Sequence, residues 1–241
     1  MRKLIAPFIV LALLLPLAAF GAPPRTGQLA GTDKRRYLDG EIVTITLTNS
    51  TNTPLVMGDT WHITDLRDDQ EQSQYVWPED ERTVDPGEQR VWRWEQNQGC
   101  YGICQNVKYG EPSGPGHYQV VIPTEVGPLA IQFDIGQYFT IGFDSEPGTT
   151  FVVWVNTPDE VAQMEKEAAS KDKTLIVSGI VKGARSYNAP WKISMGPGSI
   201  VLGEAFIEVC DGSAKYVQRH RQDWKGERWC PWSSYVEKVG R

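Results

Sequence analysis

The sequence predicts a two-domain, β-rich chain in which an antiparallel β-sandwich precedes a small α+β domain with two helices. Three observations predict it. Residues 27–143 carry short runs of alternating apolar and polar side chains punctuated by Asn, Pro and Gly turns, the period of half-buried strands. Helical spacing appears only after Phe151, first behind Thr157-Pro158 and again behind Asp211. Four cysteines fall into two close-set pairs, one in each half.

Glu41–Thr48 sets Val43, Ile45 and Leu47 against Thr44, Thr46 and Thr48, so one face is apolar. Asn49 to Pro54 then turns the chain, because these side chains bond locally to backbone and Pro54 blocks continuation. Strands are expected at Thr60–Asp65 and Gln74–Trp77, joined by an acidic loop. Another is expected at Gln89–Glu95, launched by the turn Asp85-Pro86-Gly87-Glu88 with Trp92 and Trp94 on one face. His117–Ile122, Leu129–Ile135 and Tyr138–Phe143 complete the set. Many short strands without helical period point to an antiparallel sandwich. Asp144 to Thr150, polar and bearing Pro and Gly, is expected as the linker to the domain at 151–241. In that domain Phe151–Val155 is a strand, and Thr157, Pro158 and Glu160 form a capping box opening a helix to about Ser170. Thr174–Val181, Trp191–Met195 and Ile200–Cys210 are further strands. Asp211 is expected to cap a second helix of about ten residues, and Trp229–Val239 closes the domain.

At the N-terminus Arg2 and Lys3 precede the apolar run Leu4–Leu15, then Pro16 and small residues to Ala22. This is the charge, core and cleavage pattern of a secretory signal over 1–21, with 22–26 as a tether, and it places the chain outside the cytoplasm, secreted or periplasmic. Pro7 and Pro16 and the short run argue against an uncleaved membrane span, so no integral membrane segment is expected after cleavage. Loss of Arg2 and Lys3 lowers 24 basic residues to 22 against 30 acidic ones, a net charge of −8. That balance argues against nucleic acid as the main partner.

The runs NSTNTPL, DPGEQRVWRW and GPGHYQVVI resemble bacterial immunoglobulin-like modules, including intracellular proteinase inhibitors of the BsuPI type. The resemblance implies an immunoglobulin-like sandwich over 27–143 in which Tyr118 bonds to backbone upstream. APWKISMGPGSI, EVCDG and RWCPWSS resemble the family called binding protein seventy-four over residues 151–241, which implies an extracellular module without an established active site.

Exported cysteines are expected to pair, with three connectivities open to four of them. A Cys210–Cys230 bridge would hold helix to sheet. Cys100 and Cys104, in CYGIC, would staple a loop carrying Tyr101 and Ile103, and zinc is the rival reading there, although the spacing matches no standard site. The acidic stretch Asp65, Asp68, Asp69, Glu71, Glu79, Asp80 and Glu81 lacks a calcium-loop pattern and reads as a solvated hairpin. Lys215 and Arg219 belong to a basic helix face, His220 reads as surface, and Trp224, Trp229 and Trp232 as core or as a recognition surface.

The resulting expectation is a secreted, non-catalytic binding protein with no metal or cofactor. Its most concrete form is a peptidase inhibitor or another protein-protein module acting through the Cys100 to Cys104 loop. Residues with a binding role in this reading are Tyr101, Ile103, Trp224, Trp229, Trp232, Lys215 and Arg219. A carbohydrate-binding module built on the tryptophans is the second reading, and a hydrolase using His62, His117 or His220 the third.

Overall fold

The computed structural model of the protein describes residues 28–102 and 110–241. The expected signal and tether therefore lie outside the described residues, as do Ile103 and Cys104. The described residues are β-rich, with several sheets and two α-helices.

The first half contributes β1 (Gln28–Thr32), β2 (Arg36–Leu38), β3 (Val43–Asn49), β4 (Leu55–Val56), β5 (Thr60–Asp65) and β6 (Gln70–Val76). β7 (Thr83–Val84), β8 (Gln89–Trp94), β9 (Gly99–Gly102) and β10 (Gly116–Ile122) follow. β11 (Leu129–Phe143) is a single strand of 15 residues where the sequence predicts two. Beyond it come β12 (Thr150–Val155), α1 (Pro158–Ala169), β13 (Ile176–Gly183), β14 (Ile193–Met195) and β15 (Val201–Gly203). The last elements are α2 (Ala214–Arg219), β16 (Arg228–Trp229) and β17 (Ser234–Val239).

One sheet runs β1-β3-β8. A larger one runs β12-β11-β10-β5-β6-β9, with β2 and β17 also on β11, and β13 carries β14, β15 and β16. Most pairings are antiparallel, as expected, but β2 lies parallel to β11 and β9 parallel to β6. Val43, Ile45 and Leu47 of β3 and Trp92 and Trp94 of β8 are buried in one cluster with Trp61, Ile63, Tyr118, Val120 and Phe133 from the larger sheet. The alternation in the sequence therefore points each apolar set at the other sheet. The Tyr118 hydroxyl lies 2.8 Å from the carbonyl oxygens of both Ser113 and Gly114, the upstream backbone contact expected of it.

A second cluster gathers Phe139, Ile141 and Phe143 of β11 with Phe151, Met164, Val177, Trp229 and Val236. β11 thus enters the first core through Ile135 and the second through Phe139. Between them Tyr138, Trp154 and Tyr187 pack as a small aromatic seam, with ring centroids 4.6 and 5.3 Å from Tyr138. Gly136 sits at the crossing because a Cβ there would collide with the Val155 carbonyl oxygen.

Several expectations need correction. Residues 144–149 are not a linker but the turn of the β11–β12 hairpin, closed by Glu146 N–H to Phe143 O and Thr149 N–H to Glu146 O. β11 ends at Phe143 as predicted, but it runs unbroken through Gly136 and Gln137, where the sequence reading divides it in two. The strand expected at Ile200–Cys210 stops at Gly203, and Glu208–Cys210 forms a 3-10 turn. α2 is only 6 residues long, and its cap is Ser213, whose hydroxyl accepts from Tyr216 N–H at 3.2 Å. Asp211 instead accepts Trp232 N–H at 2.9 Å. α1 begins as predicted behind Thr157 and Pro158, but the expected capping box is not made: the Thr157 side chain accepts no backbone N–H, and its hydroxyl donates instead to the Glu160 carboxylate.

Candidate functional site

Cys100 and Tyr101 lie on β9, whose parallel pairing sets Tyr75 opposite Tyr101. Their rings stack at 4.8 Å, and Tyr75 stacks in turn on Trp61 at 4.0 Å. The Tyr101 hydroxyl donates to Asn97 O at 3.0 Å. Tyr101 is therefore not the projecting tip the sequence implied: the β9 register turns it inward, onto the first core. Cys100 is disulfide-bonded, and with Glu71, Gln74 and Gln98 it lines a groove of about 310 Å³. Burial raises the Tyr75 phenol above its usual pKa, as expected inside an aromatic stack.

The acidic stretch is shorter in space than in sequence. Asp65 is buried and paired with Arg67, and that carboxylate raises the guanidinium's pKa. β6 begins at Gln70, so only a tight turn with Asp69 at φ 58° separates it from β5.

In the second half Cys210 and Cys230 form a disulfide with Cα atoms 5.2 Å apart, and Cys230 N–H bonds Cys210 O at 2.8 Å. Trp229 is fully buried and donates its indole N–H to Gly212 O at 2.7 Å, so the binding role considered for it is excluded by burial. Trp224 packs half-buried on the same core. Trp232 is 44% exposed, and so are Ile207 (70%) and Val209 (78%). All three lie within three residues of a bridged cysteine. Ile207 and Val209 were missed by sequence reasoning because IEVC reads as the inward face of a strand. Only the 3-10 turn shows that they face water.

Lys215 reaches Glu146 at 4.0 Å, tying α2 to the β11–β12 turn, and Arg219 is exposed at the end of α2. Each histidine faces a carboxylate, including His220, which the sequence reads as surface. His117 Nδ1 is 2.7 Å from Asp134, His62 is 2.7 Å from Glu71, and His220 is 3.7 Å from Asp223. Asn156 holds the same Asp134 oxygen at 3.3 Å, beside a groove of about 430 Å³. A histidine oriented by a carboxylate can act as a base toward a nucleophile, but no Ser, Thr or Cys lines that groove. Among the described residues no group of three or more His, Cys, Asp or Glu is placed to hold a metal ion, and no helix is long and apolar enough to cross a membrane.

Residues 136–240 match the family model for the N-terminal domain of binding protein seventy-four. The C-terminal resemblance read from APWKISMGPGSI, EVCDG and RWCPWSS is thereby supported, and the match begins at Gly136, where β11 passes from one core to the other. No curated protein matches the chain. Among solved structures, Pseudomonas fluorescens alkylpurine DNA glycosylase AlkC bound to DNA containing an abasic site analog aligns at 16% identity with a TM-score of 0.26. That alignment covers 44% of this chain and 28% of the glycosylase.

Proposed function

We propose that this chain is an exported, non-catalytic binding protein that engages a protein partner through the disulfide-braced surface at Ile207, Val209 and Trp232. The observation that carries this reading is the placing of three exposed large apolar side chains beside the Cys210–Cys230 bridge. Exposing them to water is unfavourable by about 1.5–3 kcal/mol for each side chain relative to burial, and a partner recovers that. The bridge lowers the ordering entropy of binding by fixing the segment beforehand. Glu204, Glu208 and Asp211 are exposed in the same segment, so a partner with apolar and basic side chains fits best. The signal-like N-terminus and the paired cysteines support export. A shared core between facing sheets and the Tyr118 contact support an immunoglobulin-like sandwich in the first half.

The test is a display library of short peptides screened against the purified protein. Peptides combining apolar and basic residues are expected to be enriched, and Val209→Asp with Trp232→Ala should abolish their binding without lowering thermal stability. Enrichment that survives both substitutions would refute the assignment of this surface.

A peptidase-inhibitor form acting from β9 is favoured by one observation: Cys100 is disulfide-bonded and Tyr101 is clamped in the aromatic stack, so the chain leaves β9 from a rigid end. Inhibition in a panel of peptidases that disappears on Cys100→Ser with Cys104→Ser would support it, and no inhibition of any peptidase would exclude it.

A further inference from the structure

Lys182, Lys192, Arg221 and Lys225 converge on one groove of about 160 Å³ that also presents Gln222 and is lined by no carboxylate. We infer that this groove is a binding site for a single phosphate or sulfate monoester group of a small molecule.

The four cations come from three backbone segments: the end of β13, the approach to β14, and the turn that follows α2. These segments are locked together. Lys192 N–H bonds the Gln218 side chain at 2.8 Å, which ties the approach to β14 to α2. Gly226 N–H bonds Val181 O at 3.0 Å and Val181 N–H bonds Glu227 O at 2.9 Å, which ties the turn to β13. The Lys182 stem lies across Gly196, where a Cβ would come within 3.2 Å of its Cε. Gly196, lacking a side chain, leaves room for that stem.

Charge makes the cluster unusual in this chain. The protein is acidic, with a formal net charge of −6, yet no ion pair with a carboxylate forms at any of these four cations among the described residues. Asp223, within the same turn, faces His220 instead. Like charges held in one groove repel, and a bound dianion relieves that repulsion while receiving charge-assisted hydrogen bonds from lysine, guanidinium and amide donors. The volume suits one tetrahedral oxyanion with the first atoms of whatever bears it. It does not suit the continuous track along which a nucleic acid backbone lies.

The experiment is calorimetric titration of the full mature chain at low ionic strength with inorganic phosphate, inorganic sulfate, a sugar phosphate, a sugar sulfate and a duplex oligonucleotide, each against chloride at matched ionic strength. Saturable binding of phosphate or sulfate, weakened about tenfold or more by Lys182→Gln with Arg221→Gln, is the expected result. A tighter sugar phosphate than sugar sulfate, or the reverse, identifies the source of the group. Lys171→Glu, an exposed lysine after α1, changes the net charge by the same two units elsewhere and should leave the affinity within about twofold. Three outcomes overturn the inference: no saturable binding of any oxyanion, equal weakening by Lys171→Glu, or binding only of a duplex oligonucleotide. Because the groove and the Ile207 surface are tested by different variants and ligands, either can fail alone.

Discussion

Ile135 and Phe139 stand four residues apart on one strand, β11, yet each is buried in a different hydrophobic cluster. The strand is hydrogen-bonded to β10 through Ile135 and to β12 and β17 through Phe139. The two cores are therefore joined through a shared backbone element rather than through a tether, and this has a thermodynamic consequence. Melting either core exposes one end of β11 and strips the ladder from the other, so calorimetry of the purified chain should show a single cooperative transition. Two separated transitions would show that the cores unfold independently.

Gly136 tests the crossing directly. Alanine there drives its Cβ into the Val155 carbonyl oxygen and to 2.9 Å from the Trp154 ring, contacts that backbone cannot readily relieve. Gly136→Ala is expected to destabilise the chain by about 1–3 kcal/mol or more, read as a shifted urea midpoint. Gly40→Ala, a glycine with open space but a φ of 77°, supplies a comparison in which only backbone strain acts.

Replacing Cys210 and Cys230 by serine removes a crosslink spanning 20 residues. The loss should be on the order of 3 kcal/mol, mainly through the entropy of the unfolded chain. Denaturant titration of the double variant against the wild type measures it, and wild type under reducing agent should move the same way.

The helix cap separates two neighbouring residues. Ser213→Ala should lower stability by about 1 kcal/mol because Tyr216 N–H loses its acceptor. Asp211→Ala removes the acceptor for Trp232 N–H and should change the accessibility of Trp232 to a fluorescence quencher, while Ser213→Ala should not.

Two carboxylates shift in opposite directions. Burial raises the pKa of Glu160 despite the opposing hydrogen bond from Thr157. A group raised in the folded state binds its proton more tightly there than in the unfolded chain, so its contribution falls as pH rises from the ordinary carboxylate range through the folded value. The pKa of Glu88 is lowered by the Asp85 N–H and by Arg90, so the stability it contributes is present above the unfolded value and lost as pH falls through the folded one. Melting temperatures across the acidic range should show Glu160→Gln gaining most relative to wild type at the upper end. Glu88→Gln should lose most there, with a small amplitude because the group is exposed.

Much of the first core was legible from alternation alone. Val43, Ile45 and Leu47, and Trp92 with Trp94, are buried as the two-residue period requires, since a strand has only two faces. Thr157 and Pro158 marked the start of α1 because the fixed φ of proline suits the first helical turn, a local property that holds although Thr157 makes no side-chain cap bond. Local cues also misled. Asp211 and Ser213 both suit a helix start, and only the approach of the Trp232 backbone decides that Asp211 is engaged elsewhere.

What the sequence by itself determined is the β-rich character, the places where backbone must turn, and a set of cysteines positioned for pairing. These follow from side-chain period, turn chemistry and spacing, which act over a few residues. Tertiary structure alone decided that β11 serves two cores, that Tyr101 is clamped on Tyr75, and that Ile207 and Val209 face water. It also gathered Lys182, Lys192, Arg221 and Lys225 into one groove from three segments. Each of these depends on which distant segment comes to lie alongside, and no local period carries that information.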